Sequence, residues 1–259
     1  MDLGLTGRTA VVTGASRGIG LAITRGLVAH GAHVVAGARA SSPELDQLAK
    51  DGSVQVLEVD LADPDGPARL VARATAGPDI LVNNVGGAPP RTAGFLAITD
   101  EEWLSTLNLN LMTAVRASRA ALPAMLAAGR GAIVNVCSVN SVLSDPAVMD
   151  YSAAKAAVAS FSKALSKEVG PKGVRVNTVS PGPVATDLWL GANGVAATVG
   201  QATGARPEDV ASSAASEMVT GRFSRPEEVA DLVLLLASDV TANVTGADIR
   251  IDGGLIPTW

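Results

Sequence analysis

Short apolar runs rich in β-branched residues recur along the chain: TAVVT from Thr9 to Thr13, HVVAG from His33 to Gly37, VQVLEV from Val54 to Val59, ILVNN from Ile80 to Asn84, AIVNVCS from Ala132 to Ser138, VRVNTVS from Val174 to Ser180 and ADIRI from Ala247 to Ile251. Helical patterns separate them. Strands that stay apolar on both faces belong to a parallel sheet, whose crossover helices cover it from both sides. The pattern therefore predicts an α/β fold: a single-domain, doubly wound parallel sheet of about seven strands spanning residues 1–259. Two helices are long. One runs roughly from Asp100 to Ala128 with Trp103, Leu104, Leu107, Leu111 and Val115 as its apolar stripe; the other, rich in Ala and Ser, runs from Tyr151 to Val169.

Composition narrows the partners. A formal charge of -5 and 3% aromatic residues supply neither the positive field nor the stacking platforms of a nucleic-acid binder. Hydrophobic residues make up 47%, yet no apolar run reaches the about 20 residues of a membrane span. The longest charge-free stretch, Leu188 to Ala205, is interrupted by Gly191, Asn193, Gly194, Gly200, Gln201 and Gly204. No secretory signal is visible, so a cytoplasmic location is expected. Cys137 is the one cysteine, and His30 and His33 lack partners at ligand spacing, so no metal site is expected. His30 and His33 read as surface residues, and Cys137 as a buried thiol pointing away from the neighbouring Ser138.

Directly after the first strand stands TGASRGIG, in which Gly14, Gly18 and Gly20 lead into a helix starting near Gly18. Glycines permit the tight turn, and the helix N-terminus offers free N–H groups to a pyrophosphate. The spacing differs from the usual dinucleotide fingerprint, and a plain strand-to-helix turn is the competing reading. Where an acid would bind the adenosine ribose, the chain reads VVAGARAS, with Arg39 and no acid before Glu44. Arg39 with Arg17 suits a 2′-phosphate, since a guanidinium pairs bidentately with phosphate. NADP(H) is the expected cofactor, with NAD(H) as the alternative if both arginines merely face solvent.

Ser138 closes one strand, and Tyr151 and Lys155 stand four apart on a predicted helix, hence on one face. A free phenol titrates near pH 10, and a cation within about 4–6 Å lowers it by about 1–3 units. The pairing of Tyr151 with Lys155 thus predicts a proton exchanged near neutrality.

TGASRGIG, Asp60 in VDL, NNVG at Asn83 to Gly86, Asn110 after Trp103, Ser138, YSAAK at Tyr151 to Lys155 and PGPVAT at Pro181 to Thr186 occur in that order. Together they resemble the short-chain dehydrogenase/reductase family, of the 3-oxoacyl-carrier-protein-reductase-like type, from Gly7 to Gly254. The resemblance implies a Rossmann-type fold and a role for each residue. Tyr151 would be the proton donor in carbonyl reduction, or the base in alcohol oxidation. Lys155 would lower the Tyr151 pKa and hold the nicotinamide ribose, Ser138 would hydrogen-bond the substrate oxygen, and Asn110 would hold a water in a proton relay. Gly14, Ser16, Arg17, Gly18, Ile19 and Gly20 would line the pyrophosphate, and Asp60 and Leu61 would flank the adenine. Asn84, Val85 and Gly86 would close over the adenosine side, and Pro181, Gly182, Val184 and Thr186 over the nicotinamide. Val85 stands where the family usually has alanine, which makes that loop bulkier.

In this family the variable segment, here Asp187 to Arg222, covers the substrate. Trp189, Leu188, Leu190 and Met218 predict an apolar lid, and Val142, Leu143 and Val148 an apolar pocket wall, so a mostly hydrophobic ketone or an acyl thioester is expected. Arg130 and Lys172 are candidates to flank the entrance and attract an anionic acyl carrier, or else are simply solvated. The two long helices and the C-terminal DGGLIPTW resemble the family's subunit contacts, which implies a homotetramer or homodimer. An NADPH-dependent carbonyl reductase leads, with an NAD-dependent secondary-alcohol dehydrogenase and a non-catalytic nucleotide sensor in competition.

Overall fold

A computed structural model describes residues 2–258; Trp259 of the C-terminal run lies outside them. The strands are β1 (Thr9–Thr13), β2 (His33–Ala38), β3 (Val54–Glu58), β4 (Ile80–Asn83), β5 (Gly131–Val136), β6 (Val174–Pro181) and β7 (Asp248–Ile251). They form one sheet in the order β3-β2-β1-β4-β5-β6-β7, and every pairing is parallel. The helices are α1 (Gly18–Ala29), α2 (Pro43–Ala49), α3 (Gly66–Val71), α4 (Asp100–Leu107), α5 (Thr113–Ala128), α6 (Met149–Val169), α7 (Asp187–Leu190), α8 (Val195–Thr203), α9 (Pro207–Ser216) and α10 (Pro226–Ala237).

The two-residue period of a strand divides the core. Ala10 and Val12 of β1 point into one layer, with Leu27 of α1 and Val233 of α10, while Val11 points into the other with Leu70, Ala117 and Met125. Strands covered this way expose neither face, which is why their sequences are apolar throughout. Because β2 and β3 lie on one side of β1 and β4 to β7 on the other, the strand order reverses between β1 and β4, and a crevice opens beyond the carboxyl ends of those strands.

The long helix expected from Asp100 to Ala128 is interrupted. Between α4 and α5 the residues Asn108–Met112 wind as a π turn, which turns Asn110 inward. The predicted stripe consequently does not make the core: Leu104 is 65% exposed and Trp103, Leu107, Leu111 and Val115 are half-buried. The buried face is instead Thr106, Asn110, Thr113, Ala114, Ala117, Ser118, Ala121 and Met125. Small side chains let this helix pack closely on the sheet. Among the described residues no helix is long and apolar enough to cross a membrane.

Parallel strands also fix which end of the sheet a residue occupies. Arg130 precedes β5 and Lys172 precedes β6, so both lie at the amino edge, and the length of β5 separates them from Ser138. They do not flank the site entrance. Arg130 is held there by Asp79 at 3.0 Å.

Candidate active site

The glycine loop between β1 and α1 is shaped by close approaches. Gly14 has φ +68°, and a Cβ there would lie 3.0 Å from Asn84 Nδ2 and 3.1 Å from Val85 Cα. A Cβ on Gly20 would stand 2.1 Å from the Gly14 carbonyl oxygen, a position no side chain can share. A Cβ on Gly18 would meet Thr186 at 3.2 Å, so the loop abuts the start of the segment after β6. Asn84 stitches the neighbouring loop to it: its Nδ2 donates to the Thr13 and Gly14 carbonyls at 3.0 and 3.1 Å, and its N–H to Thr13 Oγ1 at 2.8 Å. Beside this bare backbone, Ser16 and Ile19 are half-buried and Arg17 is exposed, 3.9 Å from the equally exposed Asp187.

Arg39, the residue after β2, is exposed. Asp60 is exposed next to buried Leu61, and its Oδ1 accepts the Ala62 N–H. Beyond β6, Gly182 donates its N–H to the Ile251 carbonyl, Pro181 and Val184 are buried, and Thr186 is half-buried. A narrow neck ties down the segment that follows, where Ala185 N–H donates to the Ser224 carbonyl at 2.9 Å and Ser224 N–H to that of Pro183 at 3.1 Å. A bare glycine cradle at a helix N-terminus and an exposed arginine after β2 fit a 2′-phosphorylated dinucleotide.

Ser138 follows the end of β5 and is 7% exposed; its hydroxyl donates to Asn140 Oδ1 and accepts the Asn140 N–H, both at 3.2 Å. Tyr151 and Lys155 share one face of α6. Lys155 is 4% exposed, donates from Nζ to the Val136 carbonyl at 2.8 Å, and sits 5.6 Å from the Tyr151 ring centre. Gly86 closes the group: a Cβ there would fall 2.7 Å from Asn110 Oδ1 and 3.6 Å from Lys155 Nζ. Asn110 itself, 3% exposed, donates to the Gly87 and Thr106 carbonyls at 3.0 Å each and accepts the Gly87 N–H at 3.1 Å.

The expectation that Lys155 brings the phenol toward neutrality is corrected by this geometry. Burial pushes Tyr151 up to about 12, with the Ser138 hydroxyl acting in the opposite direction. Burial likewise lowers the Lys155 ammonium below its ordinary value. Loss of hydration penalises both charged forms, and Lys155 is not among the groups that offset it at the phenol. Cys137 is buried as expected; its Sγ donates to the Lys155 carbonyl of α6 at 3.2 Å, and burial raises its pKa. His30 and His33 are exposed.

Sequence reasoning missed three groups. Asn140 fixes the Ser138 hydroxyl, and Arg91 and Asp150 form an ion pair against the first turn of α6. The acid immediately before Tyr151 was the available signal; its partner lies 59 residues away. The segment after β6 holds three short helices, α7 to α9, and Trp189 of α7 meets Phe223, which follows α9, edge-on at 5.1 Å between ring centres. Met218 is buried, while Leu188 and Leu190 are exposed; Val142 and Leu143 are also exposed, and Val148 is buried.

With a glycine cradle, a switch-point crevice and a Ser, Tyr and Lys gathered beside it, the architecture is that of a dinucleotide-dependent oxidoreductase. A family model described as enoyl-(acyl carrier protein) reductase matches residues 14–256, and the chain belongs to the short-chain dehydrogenase/reductase family. It is 35% identical to the 3-oxoacyl-[acyl-carrier-protein] reductase of Thermotoga maritima, over 97% of this chain and 99% of that protein. It is 37% identical to the cis-4-hydroxycyclohexanecarboxylate dehydrogenase of Sinomonas cyclohexanicum, over 95% of this chain and 96% of that one. Among solved structures, L-sorbose reductase from Gluconobacter frateurii, complexed with NADPH and L-sorbose, superposes with a TM-score of 0.90 at 34% identity, covering 100% of both chains.

Proposed function

We propose that the protein is an NADP(H)-dependent reductase that converts a ketone or 3-oxoacyl-type carbonyl to a secondary alcohol. The observation that carries this reading is the grouping of Ser138, Tyr151 and Lys155 beside the glycine cradle, with Lys155 anchored to the Val136 carbonyl at 2.8 Å under the Tyr151 ring. The dinucleotide, when bound, supplies the hydride. Gly14, Ser16, Arg17, Gly18, Ile19 and Gly20 would hold its pyrophosphate and Arg39 its 2′-phosphate. Asp60, Leu61, Asn84, Val85 and Gly86 would hold its adenosine side, and Pro181, Gly182, Val184, Thr186 and Lys155 its nicotinamide side.

Tyr151, a neutral phenol at neutral pH and held so by burial, donates its proton to the substrate oxygen as the carbon accepts hydride. The alkoxide charge is never left free in the cleft, because Ser138 turns its hydroxyl from Asn140 to the same oxygen. Lys155 then supports the phenolate left on Tyr151, and Asn110 borders the route by which a proton returns. A homodimer or homotetramer is part of this reading, supported by the resemblance of the two long helices and the C-terminal run to the family's subunit contacts.

A second reading, oxidation or reduction of a hydroxylated ring or sugar, is favoured by the relatives that act on cis-4-hydroxycyclohexanecarboxylate and L-sorbose. NADPH consumption with a short 3-oxoacyl thioester, beside a panel of cyclic and sugar ketones, separates the two. Thioester turnover that NADH does not sustain and Tyr151→Phe abolishes supports the first reading; turnover confined to the ketone panel supports the second.

A further inference from the structure

The reaction described above leaves one buried polar contact of the site without a task. The Asp150 side chain is 0% exposed and that of Arg91 is 12% exposed. Arg91 donates to Asp150 Oδ2 from Nε at 3.0 Å and from Nη2 at 2.5 Å, and Thr106 Oγ1 donates to the same oxygen at 2.8 Å. Asp150 Oδ1 accepts the backbone N–H of Tyr151 at 3.0 Å. Arg91 is gripped from the other side too, by Glu102 Oε1 at 2.7 Å and by its own N–H donating to the Ala147 carbonyl at 2.6 Å. Burial pulls the Asp150 carboxyl upward, but the bonds from Arg91, Thr106 and Tyr151 outweigh it and hold the group below the usual carboxylate range.

Stability does not account for this arrangement. A buried ion pair contributes little or nothing over apolar side chains of the same volume, whereas its two-pronged geometry fixes distance and direction. The position of the pair gives it a use. The loop Asn84 to Arg91 begins stitched to the glycine cradle through Asn84, is bonded in both directions to Asn110 through Gly87, and ends locked to the residue beside Tyr151. One segment thus touches the cofactor loop, the π turn and the catalytic helix. Asn110 and Thr106 are joined as well, since Asn110 donates to the Thr106 carbonyl while the Thr106 hydroxyl donates to Asp150.

We propose that Arg91 and Asp150 are positioning residues that carry the seating of the Asn84 to Arg91 loop into the placement of the Tyr151 hydroxyl. A substrate proton donor is then in register when that loop is seated against the cradle. The proposal rests on Tyr151 being the proton donor, and its test keeps the two apart. Displacing a reacting group by about 1 Å costs about 100-fold in rate. Arg91→Met is therefore expected to lower kcat by about 100-fold while KM for NADPH moves less than about 3-fold. Arg91→Lys, which restores a cation but not the fork, recovers about 10-fold of that loss. Arg91→Met combined with Asp150→Asn removes both buried charges, so it stays folded if the single variant does not, and it is expected to be no slower than Arg91→Met because the two act as one unit. Wild-type kcat in the folded double variant, or an effect confined to KM, overturns the proposal. If the wild type itself reduces no carbonyl in the panel, the functional reading fails separately, and the pair is judged without substrate. Tyr151 is the one tyrosine of the chain, so isotope-labelled tyrosine gives its ring resonances directly. Resonances displaced in Arg91→Met and returned by Arg91→Lys support the proposal; resonances that do not move overturn it.

Discussion

Helix α6 buries Asp150, Ser152, Ala154, Lys155, Val158, Ser162, Ser166 and Val169 along its 21 residues, whereas the described residues of α7 and α9 include none that is buried and α8 buries Ala196 and Gly200. The polar groups on α6 are bonded where they are buried: Ser152 donates to the Val148 carbonyl, Ser162 to that of Val158, and Lys155 to that of Val136. By contrast, α7 to α9 are 4, 9 and 10 residues long, too short to be stable as isolated helices. The difference teaches where each task resides. Groups that must keep their separation stand on a long helix buried along one face, and the segment after β6 is made of short pieces with few buried residues.

The sharpest way to break that division is at the rigid side. Tyr151→Phe keeps the ring and removes the hydroxyl, and kcat is expected to fall about 1,000-fold with little change in the KM for NADPH. The same variant alters the alkaline limit of stability. Tyr151 is raised in the folded protein to about 12, against about 10 unfolded, so its contribution is fully present below about pH 10 and is lost as pH climbs toward 12. Urea midpoints across that window should decline less steeply for Tyr151→Phe than for the wild type.

Next in size is Gly20→Ala, whose methyl would collide with the Gly14 carbonyl at 2.1 Å. A loss of about 3 kcal/mol in unfolding free energy is expected, together with loss of NADPH binding by fluorescence titration. Arg39→Ala should leave the fold alone and weaken NADPH binding by about 10- to 100-fold, the worth of charge-assisted bonds to a phosphate, with NADH binding unchanged. The smallest effect belongs to the side built of short helices. Trp189→Ala removes the edge contact with Phe223, worth about 1 kcal/mol, and should raise the KM for the carbonyl about five-fold without altering the Tyr151 ring environment. A Trp189 variant that abolished kcat would show that the two regions are not separable.

Legibility in the sequence followed the same division. β1 runs over Thr9–Thr13 and α1 starts at Gly18 as expected, because period and glycine chemistry are local signals. Tyr151 and Lys155 share a face because helical spacing requires it. What escaped was set by the third dimension. The Arg91 and Asp150 contact joins residues 59 apart, the π turn at Asn108–Met112 shifted the buried face of α4 and α5 away from Leu104, and the sheet's polarity put Arg130 and Lys172 at the wrong edge. The phenol's shift went against expectation because neighbouring charge is readable from spacing and burial is not.

The neck at Pro183, Ala185 and Ser224 has a meaning for how such a chain diversifies. Because the segment leaves and rejoins the body through the paired backbone hydrogen bonds of Pro183, Ala185 and Ser224, with Thr220 also donating to the Gly253 carbonyl at 3.1 Å, what lies between Thr186 and Thr220 can be lengthened, shortened or exchanged without moving a strand. Doubling the length of a closed loop costs only about 0.6 kcal/mol. New selectivity can thus be acquired by rewriting one excursion of the chain while the inherited chemistry is left as it was.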